Sequence, residues 1–99
     1  MPKFNLSNKA VEDLADIWNY TYDEWSEKQA DIYYEYLLNT CQELANEPKL
    51  GKKYSEIQSN LLGYLASRHI IFYQTISKIE IEIIRILHGS MDLKNRMEE

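Results

Sequence analysis

The hydrophobic spacing of this 99-residue chain changes period once, and that change limits the folds open to it. Up to Glu47 the large apolar residues recur at steps of three and four, the spacing of one helix face. Beyond Leu61 they tend to alternate with polar residues, the spacing of a half-buried strand. A helical front and a β-rich back, each with one apolar face, are stable when those faces are laid together. The expected architecture is a single two-layer α+β domain over residues 1–99. It has an N-terminal strand, an α-helical hairpin, a three-stranded antiparallel sheet and a short C-terminal helix.

Lys3-Phe4-Asn5-Leu6 alternates polar and apolar and reads as a short strand, with Ser7 placed to cap the helix that follows. Over residues 8–25, Val11, Leu14, Ala15, Ile17, Trp18, Tyr22 and Trp25 trace one stripe, and Glu12, Asp13, Asp16, Asp23 and Glu24 fall mostly off it. Ser26-Glu27-Lys28-Gln29 has the form of a capping box, in which the serine oxygen takes the Gln29 amide and the glutamine side chain reaches back. A second helix then carries Ile32, Tyr33, Tyr36, Leu37, Cys41, Leu44 and Ala45, and stops at Pro48. Two helices joined this tightly lie antiparallel.

Residues 48–60 read as a loop, long enough to point to a functional role. Strands are expected at 61–65, 69–76 and 79–88, with Ser77-Lys78 as the turn between the last two. In the last strand Ile79, Ile81 and Ile83 share a face against Glu80 and Glu82. Ile84 and Ile86 then fall on the glutamate face and Arg85 on the apolar one. Either a bulge switches the faces or both faces are covered near the strand's end. Gly89 breaks the strand, and Ser90 can cap a short helix over 91–97.

The net charge of −5 is unevenly spread. Through Glu47 there are ten acidic residues against three basic, a balance of −7; from Pro48 onward eight basic against six acidic give +2. Nucleic-acid binders usually carry a stronger basic footprint. The lone Cys41 excludes an intrachain disulfide and reads as a small core residue. No stretch has the roughly 18 apolar residues of a membrane span, and the N-terminus has no long apolar run, so a cytoplasmic protein without membrane contact is expected.

RNA cleavage by transesterification needs a base for the 2′-hydroxyl and a cation for the developing phosphorane charge. The pieces available are Arg68, His69, Arg85, His88, Tyr64 and Tyr73. On a regular strand Arg85 and His88 face opposite sides. His69 most simply opens a strand, and His88 reads as a strand-end residue bonding a carbonyl. Arg85, set among isoleucines, requires a partner, either Asp92 or an acid of the helical hairpin. Two distant histidines and one helical cysteine give no zinc-type spacing, and Gly51-Lys52-Lys53 lacks the glycine run of a phosphate loop. No catalytic residue, metal or cofactor is assigned.

The chain resembles the ParE branch of the RelE/ParE toxins. The resemblance is carried by Asn5-Leu-Ser, by Leu14-Ala-Asp-Ile17, by Pro48-Lys-Leu-Gly51, by His69-Ile-Ile-Phe-Tyr73 and above all by Ile83-Ile-Arg-Ile-Leu-His-Gly-Ser-Met-Asp92. It implies a toxin of a type II toxin–antitoxin system of the plasmid-stabilisation kind. It further implies neutralisation by a ParD-like antitoxin, which alone meets operator DNA, and DNA gyrase as the target. The RelE-like relatives are instead ribosome-dependent messenger RNA endonucleases. Their central strand typically opens Tyr-Arg where this chain has His69-Ile70, and many ParE members have Gly-Arg-Met-Asp where this chain has Gly89-Ser90-Met91-Asp92. An RNase and a degenerate toxin that only binds antitoxin are therefore the alternatives. On this resemblance the expected target-facing residues are Arg85, His88, Met91, Asp92, Lys94 and Arg96. Those expected to meet the antitoxin are Trp18, Tyr22, Trp25, Tyr33, Tyr36, Ile84 and Ile86.

Overall fold

The computed structural model describes residues 1–90 and 92–98. Strand β1 (Lys3–Leu6) leads into helices α1 (Asn8–Glu24) and α2 (Glu27–Asn46). A 3-10 turn (Pro48–Leu50), β2 (Lys52–Lys53), β3 (Leu62–Ala66), β4 (His69–Ser77), β5 (Glu80–His88) and α3 (Leu93–Met97) follow. The strands form one sheet in the order β1-β5-β4-β3-β2, with β1 parallel to β5 and the other neighbours antiparallel. The expected antiparallel trio is thus the centre of a mixed five-stranded sheet. β1 and the two-residue β2 extend its edges.

Ser7 joins the two layers. Its N–H continues the β1–β5 ladder to the Ile83 carbonyl at 3.0 Å. Its Oγ accepts the Ala10 N–H at 3.0 Å, capping α1, and donates to the Ile84 carbonyl at 2.7 Å. Ser26 caps α2 by accepting the Gln29 N–H at 3.1 Å. The capping box is only half made, because the Gln29 side chain lines a cleft instead of reaching back.

The hairpin covers one face of the sheet. Leu14, Leu37, Cys41 and Leu44 pack against Ile71, Tyr73, Ile81, Ile83 and Ile86, each large side chain contributing roughly 1.5–3 kcal/mol through burial. Burial pushes the Cys41 thiol up to about 12. On the other face Leu61, Ile70, Phe72 and Leu87 form a smaller cluster, covered by Tyr54 and Ile57 and by Leu93 and Met97 of α3. The segment read as a bare loop is therefore a second cover for the sheet. The Tyr73 hydroxyl anchors it, accepting the Gly51 N–H at 2.9 Å and donating to the Pro48 carbonyl at 2.6 Å. A Cβ on Gly51 would overlap that hydroxyl.

Both alternatives for the last strand hold together. Phe72 pairs with Arg85 and Tyr73 with Ile83, so Ile84 is an extra residue in β5. Ile83 and Ile86 then both face the helices, while Ile84 and Leu87 face the smaller cluster. The β4–β5 turn is Lys78-Ile79, one residue later than expected, and Ile79 is exposed.

The buried face of α1 also differs from the expected stripe. Ala10, Asp13 and Leu14 are buried, whereas Val11, Tyr22 and Trp25 are 52%, 49% and 68% exposed. The cause is Asp13. Its Oδ2 accepts from Arg85 Nε at 2.8 Å and from the Ile86 N–H at 3.0 Å, and its Oδ1 accepts from Arg85 Nη2 at 2.9 Å. Arg85 Nη1 donates to the Arg96 carbonyl at 2.6 Å. Counting apolar residues leaves an aspartate outside; a buried guanidinium draws it in.

Removing Asp13 leaves a guanidinium and an N–H inside without their carboxylate. Asp13→Ala is expected to cost about 3 kcal/mol, read as a fall in Tm on the order of 15 °C. Arg85→Met added to it is expected to restore part of the loss, because the second change removes the buried charge.

Candidate functional site

At one end of the molecule the helical hairpin stands clear of the sheet and leaves a cleft of about 780 Å³. Ile17, Tyr20 and Thr21 of α1, Trp25 at the junction, and Gln29 and Tyr33 of α2 form one side. Ser67, Arg68, His69, His88 and Ser90 form the other. The volume lies within the range of small-molecule sites.

The sheet register builds the floor. His69 opens β4, His88 ends β5, and the two are cross-strand partners. Their rings lie 5.3 Å apart, edge to face at 82°. Each is held by a hydroxyl: Tyr33 Oη is 2.7 Å from His69 Nδ1, and Ser90 Oγ is 2.7 Å from His88 Nδ1. The Ser90 N–H also donates to His88 Nδ1 at 3.2 Å. An amide nitrogen can only donate, so neutral His88 carries its proton on Nε2. The Gly89 N–H donates to the Arg68 carbonyl at 3.0 Å, tying the β3–β4 turn to the end of β5.

Burial first, then the charges of His88 and Arg68, lower the His69 imidazole to about 4, against an opposing pull from Asp13. Burial raises the Tyr33 phenol above its ordinary value. At neutral pH the pair is an uncharged imidazole beside an un-ionised phenol. It is a hydrogen-bonding wall rather than a poised acid and base.

The expected target-facing residues do not share one surface. The Arg85 side chain is 7% exposed and committed to Asp13, so it is closed to direct contact. His88 sits on the cleft floor, and with Arg96, Asp13 and Asp16 it lines a recess of about 60 Å³. Asp92 caps α3, its Oδ2 accepting from Asn95 Nδ2 at 2.7 Å, and Lys94 is exposed. Met91 lies outside the described residues.

The expected antitoxin-facing residues divide as well. Trp18 and Tyr22 stack at 5.3 Å on the flank of α1, and Trp18 Nε1 donates to Asp31 Oδ1 at 2.9 Å. Trp25 and Tyr33 line the cleft, and Tyr36 stacks on Tyr33 at 5.8 Å. Ile86 is buried in the main core and Ile84 is packed in the smaller cluster, because the extra residue in β5 turns them to opposite covered faces.

The pairing of His69 with His88 escaped the sequence reading, although a signal exists. Counting outward from a two-residue Lys78-Ile79 turn pairs 69 with 88; counting from Ser77-Lys78 does not. Asp16, Tyr20, Ser67 and Arg68 carry no motif.

Ser67 holds φ at 59° in the β3–β4 turn, a region that favours glycine. Ser67→Gly is expected to stabilise by about 0.5–1 kcal/mol, raising Tm by a few degrees. The lowered His69 has a second consequence. The unfolded chain takes up this proton near pH 6.5, the folded chain only near about 4, so stability falls as pH drops through that window. Thermal melts across it are expected to show a smaller loss for His69→Gln than for the unaltered protein.

The sequence profile described as "ParE toxin of type II toxin-antitoxin system, parDE" matches residues 4–93. Toxin ParE1 of Mycobacterium tuberculosis (strain H37Rv) is 30% identical over 95 residues, covering 96% of this chain and 97% of the relative. Toxin ParE1 of Caulobacter vibrioides is 32% identical over 94 residues, covering 95% and 96%. A solved structure described as the chromosomal ParDE TA system from P. aeruginosa superposes with a TM-score of 0.76. It spans 89% of this chain and 96% of that one at 17% identity, a likeness of fold. The chain belongs to the ParE toxin family of type II toxin–antitoxin systems.

Proposed function

We propose that the protein is a toxin held inactive by a ParD-type antitoxin seated on the aromatic surface of the α1–α2 hairpin, and that it poisons DNA gyrase by contact rather than by cutting RNA. The observation that carries this reading is the large apolar area left outside the core. Val11, Tyr20, Tyr22, Trp25, Ile32 and Tyr36 are all exposed on or between two helices of one small domain. Val11 and Tyr22 lie on the Trp18 side of α1 while Tyr20 and Trp25 line the cleft, and exposed aromatic side chains of this kind are the usual anchors of an interface. An amphipathic helix laid along such a surface is a common mode of recognition. The ParDE description of the structural neighbour supports a ParD-type partner.

The placement of the cationic and acid–base groups favours contact over cleavage. Arg85 is bound to Asp13, the Tyr73 hydroxyl to Gly51 and Pro48, and His88 to Ser90. Of the pieces that would cleave RNA, Arg68, His69 and His88 line the cleft together, but the Arg85 guanidinium and the Tyr73 hydroxyl are committed elsewhere and do not join them. The accessible residues offered to gyrase are those at the tail, Lys94 and Arg96 with Asp92. This reading puts the toxin in the cytoplasm, in contact with operator DNA only through its antitoxin.

Expressed without antitoxin, the protein is expected to arrest growth with DNA-damage signalling, and the purified chain to inhibit gyrase supercoiling. Trp18→Ala with Tyr22→Ala is expected to weaken antitoxin binding on the order of tenfold or more while leaving gyrase inhibition intact. Untouched supercoiling, together with codon-dependent cuts in translated RNA by primer extension, would establish the RNase instead. Antitoxin binding without toxicity would mark a degenerate toxin.

A further inference from the structure

The cleft between the hairpin and the strand ends carries two opposite charges that do not meet. Arg68 on the β3–β4 turn and Asp16 on α1 both line it, and among the described residues neither has an ion-pair partner. Both are exposed, so nothing in the fold requires either charge at its place. Beside them stand the rings of Tyr20, Trp25 and Tyr33. Tyr20 lies one helical turn beyond Asp16, so ring and carboxylate share a face of α1.

This combination selects among ligands. Asp16 in the wall disfavours a bare anion, and Arg68 disfavours a bare cation. The exposed faces of Tyr20 and Trp25 favour something flat, because aromatic side chains bind planar rings by stacking. The donors gather at the strand ends: the Arg68 guanidinium, the Ser67 hydroxyl and the His88 Nε2–H, while the Ser90 hydroxyl donates to His88 Nδ1 and fixes that tautomer. A fitting ligand is planar in the middle, rich in N–H donors at one end and anionic at the other.

We propose that this cleft binds a purine nucleoside monophosphate. Arg68, the Ser67 hydroxyl and the His88 Nε2–H hold the phosphate, the base stacks on Tyr20 and Trp25, and Asp16 accepts N–H groups from the base edge. Guanine fits better than adenine. It presents a ring N–H and an amino group on adjacent atoms, which one carboxylate accepts together, whereas adenine presents the amino group beside a ring lone pair that a carboxylate repels. The site lies apart from the stacked Trp18–Tyr22 flank, shares Tyr20 and Trp25 with the exposed apolar set proposed to meet the antitoxin, and does not depend on the target of the toxin.

The test is a titration of the full-length chain, followed by amide and imidazole NMR shifts, with guanosine 5′-monophosphate, adenosine 5′-monophosphate, guanosine and inorganic phosphate. Saturable shifts of His69, His88 and the 67–69 turn are expected with the guanine nucleotide, at lower concentration than with the other three. Arg68→Ala is expected to weaken the guanine nucleotide on the order of tenfold while sparing guanosine, and Asp16→Asn to weaken both while sparing phosphate. Both substitutions are of exposed side chains, and unchanged melting curves identify folded variants. The proposal is overturned if millimolar guanine nucleotide gives no saturable shift. It is equally overturned if inorganic phosphate binds as tightly as the nucleotide, or if neither substitution alters binding.

Discussion

The Asp13 carboxylate is the point on which the two layers turn. β1 ends opposite Ile83, while β5 runs on to His88, so the last stretch of β5 has an edge that no strand covers on that side. Ser7 satisfies the Ile84 carbonyl and Asp13 the Ile86 N–H, and the edge is sealed by side chains of α1 and its cap. The same carboxylate holds the Arg85 guanidinium, which reaches the Arg96 carbonyl of α3. Helix hairpin, sheet and tail are thereby joined through three side chains. A buried ion pair is weak evidence for stability, because a well-packed apolar pair often serves as well. What it supplies here is orientation: it sets the rotation of α1 about its axis.

That rotation decides which residues remain outside. With Ala10, Asp13 and Leu14 turned inward, Trp18 and Tyr22 move to a flank and Trp25 to the mouth of the cleft. A domain of this size has a limited interior, and the space α1 gives to an aspartate is space its aromatics do not occupy. The exposed aromatics of α1 and the ion pair of the core are thus two results of one helix setting.

Much of the architecture was legible because local chemistry and global packing agree. Ser7 and Ser26 cap the helices they were expected to cap, Cys41 lies in the core, and Arg85 pairs with an acid of the hairpin. Apart from the one-residue misplacement of the β4–β5 turn, the failures share one cause, a dependence on partners distant in sequence. A face count on α1 cannot see a guanidinium 72 residues away. The pairing of β1 with β5 spans most of the chain and leaves no local mark. In the β4–β5 hairpin two irregularities offset each other, one past Thr75 on β4 and one at Ile84 on β5. The histidines therefore meet as they would in a regular hairpin, while the isoleucines between them change faces. The cleft was the least visible feature, since it is made where a turn, a strand end and a helix junction coincide.

The solitary thiol beneath the second helix has a use that follows from its setting. Cys41 is wholly enclosed between α2 and the sheet, and its sulfur stays protonated far above neutral pH. A thiol-directed reagent needs both access and a thiolate, so it reacts only in molecules whose hairpin has lifted from the strands. The chain thus carries an internal clock for its own opening, and the rate at which that sulfur is labelled measures how often the two layers part.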